Sequence, residues 1–414
     1  MEVIASYKQT EVGVIPEDWE VKQLGELFEI TSSKRVFQSE WKTEGVPFYR
    51  ARELAVLGEK GKVKNELFIS KEMYDAYKNL YGVPKIGDML VTGVGTLGKV
   101  YIVSDDHEFY FKDGNIIWFK TSGKVRPEFL RQLYLTQLIT KQIDDASAGT
   151  TVGTYTIFSA KKTTIPAPSL AEQTVIAAVL SDADALISSL DKLISKKRDI
   201  KQGAMQVLLT GKKRLPGFND RWITKKLGQI ALISRGASPR PIDSPIWFDE
   251  DSYVGWVRIS DVTKSTKFLK DTSQKLSELG IRNSHFISKG NLIMSICATI
   301  GRPILTDFDV CIHDGFVVFS NPQIIKDFLY YFLSLIEKDW QKHGQTGSQM
   351  NLNTGLINST EIHFPEDTNE QTTIANVLSD MDAEIEGLEH KLTKYKLIKQ
   401  GMMQELLTGK KRLI

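Results

Sequence analysis

Few residue patterns in this chain could carry chemistry, and most fail on their surroundings. Gly93-Val-Gly-Thr-Leu-Gly98 has dinucleotide-turn spacing, but that chemistry needs a following helix whose N-terminus meets the pyrophosphate. The β-prone Lys99-Val-Tyr-Ile-Val103 follows instead, so a tight turn between strands is expected. Gly211-Lys-Lys and Gly409-Lys-Lys lack the upstream glycine and the Ser/Thr of a phosphate loop. Glu20-Val-Lys22 is too short to stand for a nuclease site, and Asn321-Pro-Gln-Ile is not an amino-methyltransferase motif. The histidines make no metal-ligand spacing with Cys297 and Cys311, which lie in β-like runs and read as core. No catalytic residue and no metal site is expected.

What remains are polar, arginine-containing loops at matched places in two halves of the chain. In the first half they offer Lys34, Arg35, Arg50, Arg52, Thr92, Thr96, Lys99, Thr150, Thr151 and Tyr155. In the second they offer Arg235, Arg240, Arg258, Ser260, Thr299, Arg302, Ser348, Gln349 and Asn351. Arg can read guanine bidentately, Asn and Gln adenine, and Ser and Thr either. Lys and hydroxyl side chains hold phosphates. Taken singly these are ordinary surface residues; as matched sets on a duplicated scaffold they read as candidate DNA contacts.

The scaffold is duplicated most clearly in two long segments. Glu172–Leu215 and Glu370–Leu413 are identical at 28 of 44 positions at a constant offset of 198, and such a repeat dictates architecture. Ser169-Leu-Ala-Glu172 and Asp367-Thr-Asn-Glu370 have capping-box spacing. Gly211 and Gly409 stand where a helix would stop, followed by Lys-Lys-Arg that could meet the last carbonyls. Between them Ile176, Leu180, Ala183, Ile187, Leu190 and Ile194, and Ile374, Leu378, Met381, Ile385, Leu388 and Leu392, step by threes and fours. That is a helix-pairing seam. About 40 residues per copy gives a rod of roughly 60 Å. Lys197, Lys201 and Lys399 interrupt the seam, as a register-setting or solvated layer would. The first copy has a further apolar column (Val179, Leu186, Leu193, Ile200, Val207), where the second has Val377, Glu384, Lys391, Ile398 and Glu405. The first helix therefore needs more cover than one partner gives, from a globular domain or another subunit.

The repeat extends weakly outward. Trp19–Gly25 echoes Trp222–Gly228, Val46–Arg50 echoes Val254–Arg258, Lys85–Val91 echoes Ser288–Met294, and Lys112-Asp-Gly114 pairs with His313-Asp-Gly315. Helical patterns follow at Phe129–Ile143 and Ile325–Trp340. The expected fold is α+β: two pseudo-repeated globular domains at 1–168 and 212–366, with long helices at 169–211 and 367–414 paired as an antiparallel coiled coil. The second copy ends where the first runs on into Pro216, so the two ends are expected to meet.

Composition sets the remaining bounds. A net charge of +2 disfavours a strongly basic, stand-alone nucleic-acid binder. Two cysteines suit a reducing cytoplasm, and no leader or apolar membrane-spanning run is read in the chain.

Gly13-Val-Ile-Pro-Glu-Asp-Trp19, Ile165-Pro-Ala-Pro168 before Glu172-Gln-Thr-Val-Ile176, and the Leu-Leu-Thr-Gly-Lys-Lys-Arg-Leu helix ends resemble the DNA-specificity subunits of type I restriction–modification systems. The resemblance covers essentially the whole chain, although Phe364-Pro365-Glu-Asp-Thr-Asn lacks the second proline at the second joint. It implies a non-catalytic subunit with two target-recognition domains, each reading half of a bipartite, asymmetric site in double-stranded DNA. The paired helices would set the spacing and dock two modification subunits. It also implies no cofactor on this chain: S-adenosylmethionine would serve the modification subunits, and ATP and Mg²⁺ the restriction subunits. A homodimer of the isolated subunit is possible in such a scheme. Two rivals are a duplicated coiled-coil adaptor that binds only proteins and an enzyme in its own right.

Overall fold

The computed structural model describes residues 6–64, 67–148, 153–342 and 352–413. The chain divides into two compact units, Met1–Asp191 with Lys391–Ile414, and Lys192–His390. Each unit holds one globular domain, half of the long helix that follows it, and half of the other long helix. The fold class is α+β.

The first unit is built on a four-stranded antiparallel sheet in the order Glu29–Thr31, Ile116–Lys120, Met89–Thr92, Val100–Ile102. Its central strands are continuous apolar runs because both faces are covered. Met89, Val91, Ile117 and Phe119 face Phe129, Leu130, Ile176, Leu180 and Leu406. The alternate residues Leu90, Ile116 and Trp118 face Leu54 and Leu57 of the helix Ala51–Lys60. This is the period-two alternation of a strand between two layers. The second unit repeats the device with Leu232–Arg235, Phe316–Ser320, Leu292–Ser295, Pro303–Thr306 and Phe268–Leu269. There Leu292, Met294, Val317 and Phe319 face Phe328, Ile374 and Leu378, while Ile293, Phe316 and Val318 face Val262.

A two-stranded ribbon sits at the neck of each domain. Glu20–Gln23 pairs with Thr164–Ala167, and Trp222–Lys226 with Glu361–Pro365. Lys22 is thereby spent on Glu20 at 3.0 Å in a surface pair. The sequence predicts one helix over Phe129–Ile143, but the structure breaks it into Pro127–Leu133 and Gln137–Ser147. The Thr136 hydroxyl donates to the Leu133 carbonyl at 2.6 Å while its backbone turns extended, which competes with helix continuation. Its counterpart, Lys326–Lys342, is unbroken.

The long helices run Leu170–Leu208 and Thr368–Leu406, 39 residues each, and pair antiparallel within each unit. Ile176, Leu180, Leu190, Ile194, Ile374, Leu378 and Ile385 of the predicted seam are buried, and Ile187, Leu388 and Leu392 are half-buried. The cationic interruptions are filled: Lys201 pairs with Asp382, Lys197 with Glu384 at 2.6 Å, and Lys399 with Asp184 at 2.7 Å. Gly211 and Gly409 stop the helices at φ of +69° and +71°.

The capping box is only half formed. The Ser169 hydroxyl accepts from Glu172 N–H at 3.2 Å, but the Glu172 carboxylate turns away to Arg412. In the second copy Asp367 caps Asn369 N–H, and Glu370 takes Arg214. The arginines beyond the helix ends thus hold a glutamate of the other copy instead of the last carbonyls.

Leu170–Leu208 contains an 18-residue stretch of mean hydropathy 1.2 that is only 28% buried, long and apolar enough to cross a membrane by length and composition alone. Its excess lies in the further apolar column: Leu186, Leu193 and Ile200 are 37%, 38% and 47% exposed.

Candidate nucleic-acid interface

In both domains the sheet's hydrogen bonding gathers the loops singled out by sequence. In the first, Gly93 N–H donates to Asn115 O at 2.8 Å and Tyr155 N–H to Gly93 O at 2.9 Å. Lys112 N–H donates to Tyr49 O at 2.9 Å, which sets the Lys112–Gly114 turn beside Arg50. Arg35 reaches the same turn through Asp113 at 3.0 Å. The second domain repeats the cluster: Ile296 N–H donates to Gly315 O at 2.8 Å, and Leu352 N–H to Ile296 O at 2.9 Å. There the parallel pairing of Val257 with Ile312 brings Arg258 beside His313. Arg235 Nε donates to Asp314 O at 2.6 Å, and Arg240 lies 3.6 Å from its carboxylate.

In each cluster the aspartate of the Asp-Gly turn engages a subset of the loop arginines: Arg35 in the first domain, Arg235 (through the Asp314 carbonyl) and Arg240 in the second. Burial alone would raise Asp314, but the Ser238 hydroxyl at 2.8 Å and neighbouring positive charge hold its carboxyl below the usual range. The anchored arginines remain open: Arg35 and Arg240 are 69% and 72% exposed. Lys34 lies over the Tyr81 ring at 4.7 Å, and Ser260 is exposed on the helix Ile259–Lys264.

Other candidates have internal partners. Arg50 and Arg52 both engage Glu53, at 2.7 and 3.1 Å. Burial would raise that carboxyl, yet the Arg50 side chain and N–H hold it below its ordinary value. Arg258 donates to Gln274 at 2.7 Å. Lys99 pairs with Glu59 at 2.7 Å, and Arg302 donates to Ser265 O at 3.0 Å. In both domains this residue buttresses the turn against the helix after the preceding arginine. Thr96 is exposed and Thr299 half-buried, and each gives its carbonyl to a hydroxyl, of Thr92 and Ser295 respectively.

Two candidates are removed. Thr92 is 1% exposed, its hydroxyl closing the Thr92–Lys99 turn from inside. Tyr155 is 2% exposed, its hydroxyl shared with Tyr134 at 3.1 Å and Thr163 at 2.8 Å. Neither presents surface to a ligand. Thr150, Thr151, Ser348, Gln349 and Asn351 lie outside the described residues.

Sequence reasoning missed Arg282 and His285. Ser284 donates to Ala237 O at 2.7 Å and His285 Nδ1 lies 2.8 Å from Arg235 O, so the end of Glu278–Arg282 flanks the Arg235–Arg240 loop. No motif marks them; only the pairing of His285–Ile287 with Val310–Ile312 brings them there. Among the described residues, no group of three or more His, Cys, Asp or Glu could hold a metal ion.

Comparison with known proteins accords with this duplicated layout. Residues 16–197 and 219–395 each match the family described as the type I restriction modification DNA specificity domain. The MjaX specificity subunit of Methanocaldococcus jannaschii is 25% identical over 437 residues, covering 99% of this chain and 97% of its own. The MjaVIII specificity subunit of the same organism is 31% identical over 226 residues, covering 52% of this chain and 51% of its own. Among solved structures, the type I S subunit from M. genitalium superimposes with a TM-score of 0.59 at 15% identity, covering 94% of this chain and 96% of that one. A chain from a study of type I complex assembly gives 0.57 at 17%, covering 95% and 99%. With both halves matched by one family, the chain belongs to the type I restriction–modification DNA specificity family.

Proposed function

We propose that each recognition domain reads one half of a bipartite, asymmetric site in double-stranded DNA, through the loop cluster around its Asp-Gly turn. The observation that carries this reading is the pair Arg35–Asp113 and Arg240–Asp314: in each copy of one scaffold the turn aspartate holds an exposed loop arginine, at a different place in loops of different sequence. An arginine so held loses less side-chain freedom on meeting a guanine edge. Two domains reading one face of B-DNA want half-sites centred about one turn, roughly 10 bp, apart. The paired long helices impose that gap. The exposed column of Leu186, Leu193 and Ile200 would supply apolar surface for docking a modification subunit.

Two modification subunits would supply methyl transfer with S-adenosylmethionine. Restriction subunits would supply ATP- and Mg²⁺-dependent work. This chain provides the address. The same apolar column could pair two copies of the isolated subunit. The deciding experiment maps methylated adenines in DNA from cells expressing this chain with its cognate modification subunit. A split, asymmetric motif with one fixed gap, lost when the chain is omitted, is expected. A continuous motif, or methylation indifferent to the chain, would favour a protein-binding adaptor instead.

A further inference from the structure

Each domain is seated on the helix pair through a polar junction as well as an apolar core; Tyr331 and Gln132 on the domain side are buried, and the carboxylates they meet are half-buried. In the second unit, Tyr331 OH donates to Asp382 Oδ2 at 2.8 Å and lies 3.0 Å from Ser379 Oγ. Lys201, on the opposite long helix, holds the other Asp382 oxygen and lies 5.3 Å over the Tyr331 ring. Lys267 is 9% exposed; it donates to Ser379 Oγ at 2.8 Å and pairs with Asp327. It immediately precedes the edge strand Phe268–Leu269, so a second strut runs from sheet to helix.

The first unit has the same junction at repeat-equivalent positions. Gln132 stands for Tyr331, and its Nε2 donates to Asp184 Oδ2 at 2.9 Å. Lys399 holds Asp184 Oδ1 at 2.7 Å. Gln132 is fully buried, and its Oε1 has no hydrogen-bond partner among the described residues.

In both units one carboxylate therefore binds three segments at once: its own long helix, the opposite long helix and the domain's helix. Apolar packing is non-directional and would tolerate rocking of the domain. A buried hydrogen-bonding side chain such as Tyr331 or Gln132 has few acceptable geometries, because leaving its bond unmade is expensive. Ionic groups of this kind can specify register more than they stabilise. Burial keeps the Tyr331 phenol well above its ordinary pKa, so it remains a donor.

We propose that Asp382 with Tyr331 and Lys267, and Asp184 with Gln132, are positioning residues that set which gap between half-sites this chain accepts. They act through the seating of each domain on the helices and touch no base. The inference rests on the two-half-site reading above. Changing the gap by one base pair displaces a half-site by about 3.4 Å and turns it by roughly 35°. A domain freed from its junction can follow that turn, whereas a pinned one cannot.

The test uses the full chain with its modification subunits, on a library keeping both half-sites and varying the gap by one base pair either way. Tyr331→Phe with Lys267→Met should leave the half-site bases unchanged while preference for the wild-type gap falls about tenfold, a coupling of ordinary size. Gln132→Met should act likewise through the first unit. If the double variant does not fold, Tyr331→Phe alone, which removes one oxygen, carries the comparison. Gap preference held at the wild-type value, or a loss uniform across all gaps, would overturn the proposal. A wild-type chain giving no split motif would instead sink the two-half-site reading, and this inference with it.

Discussion

Arg412 Nη2 donates to Glu172 Oε2 at 2.8 Å, joining the segment beyond the second long helix to the first turn of the first. The same guanidinium holds Asp18 at 2.9 and 3.0 Å, and Trp19 Nε1 donates to Glu172 at 3.0 Å. At the repeat-equivalent positions Arg214 Nη2 donates to Glu370 Oε2 at 2.7 Å. Each copy of the repeat thus fastens the other.

Glu172 is 1% exposed, so removing its cation leaves a buried carboxylate short of partners. Arg412→Ala is expected to destabilise by roughly 3–5 kcal/mol, read from urea unfolding. Arg412→Lys should recover only part of this, since an ammonium cannot span Glu172 and Asp18 as a fork does. A loss below about 1 kcal/mol would mean the pair is ornamental.

Acid should weaken the second domain through His313. Burial first, then the nearby Arg258 charge, lower its pKa from the ordinary 6.5, with Asp314 opposing. Its Nδ1 accepts Gly315 N–H at 2.9 Å, which requires a neutral ring. A depressed histidine pKa means the unfolded chain binds the proton more readily, so stability is full above about 6.5 and falls as pH drops below it. Thermal midpoints measured between pH 7.5 and 5.5 should decline in the wild type and flatten in His313→Asn. Parallel slopes would exclude His313 as the source.

Exposed and buried candidates should separate cleanly. Arg240→Ala, at a 72%-exposed side chain, should leave unfolding unchanged and cost about 1–3 kcal/mol of discrimination at one base of the second half-site. Tyr155→Phe should cost about 1 kcal/mol of stability and leave the methylated motif intact. A motif altered by Tyr155→Phe would return that residue to the interface.

Leu186→Glu with Leu193→Glu tests the exposed column. The second copy carries Glu384 and Lys391 at these positions, so folding stability should move by no more than about 0.5 kcal/mol. Co-purification with the modification subunit should be lost. Retention of the full complex would place docking elsewhere on the chain.

Much of this architecture is legible in the residue order. The 198-residue offset, the capping spacings and the three–four stepping mark two equivalent helices that need partners, because helical faces are local consequences of residue order. The β-prone runs Met89–Thr92 and Ile116–Phe119 likewise read as strands, but their cover on both faces is seen only in the fold. Alternation cannot say that Thr92 and Tyr155 are interior, since their burial depends on segments far away in the chain. Nor does composition say that Lys99 and Arg302 brace a turn instead of facing solvent.

The residue order alone establishes two copies of one domain–helix plan with matching apolar seams, since periodicity and identity are properties of the chain. Partner choice belongs to the folded molecule. Arg412 takes Glu172 and Arg214 takes Glu370, each across the repeat, and Asp382 gathers Tyr331 and Lys201 from separate segments. A long charged side chain reaches many carboxylates equally well in sequence. The fold selects Glu172 and Glu370, which are buried, because in a low-dielectric interior an unpaired charge is too costly to keep.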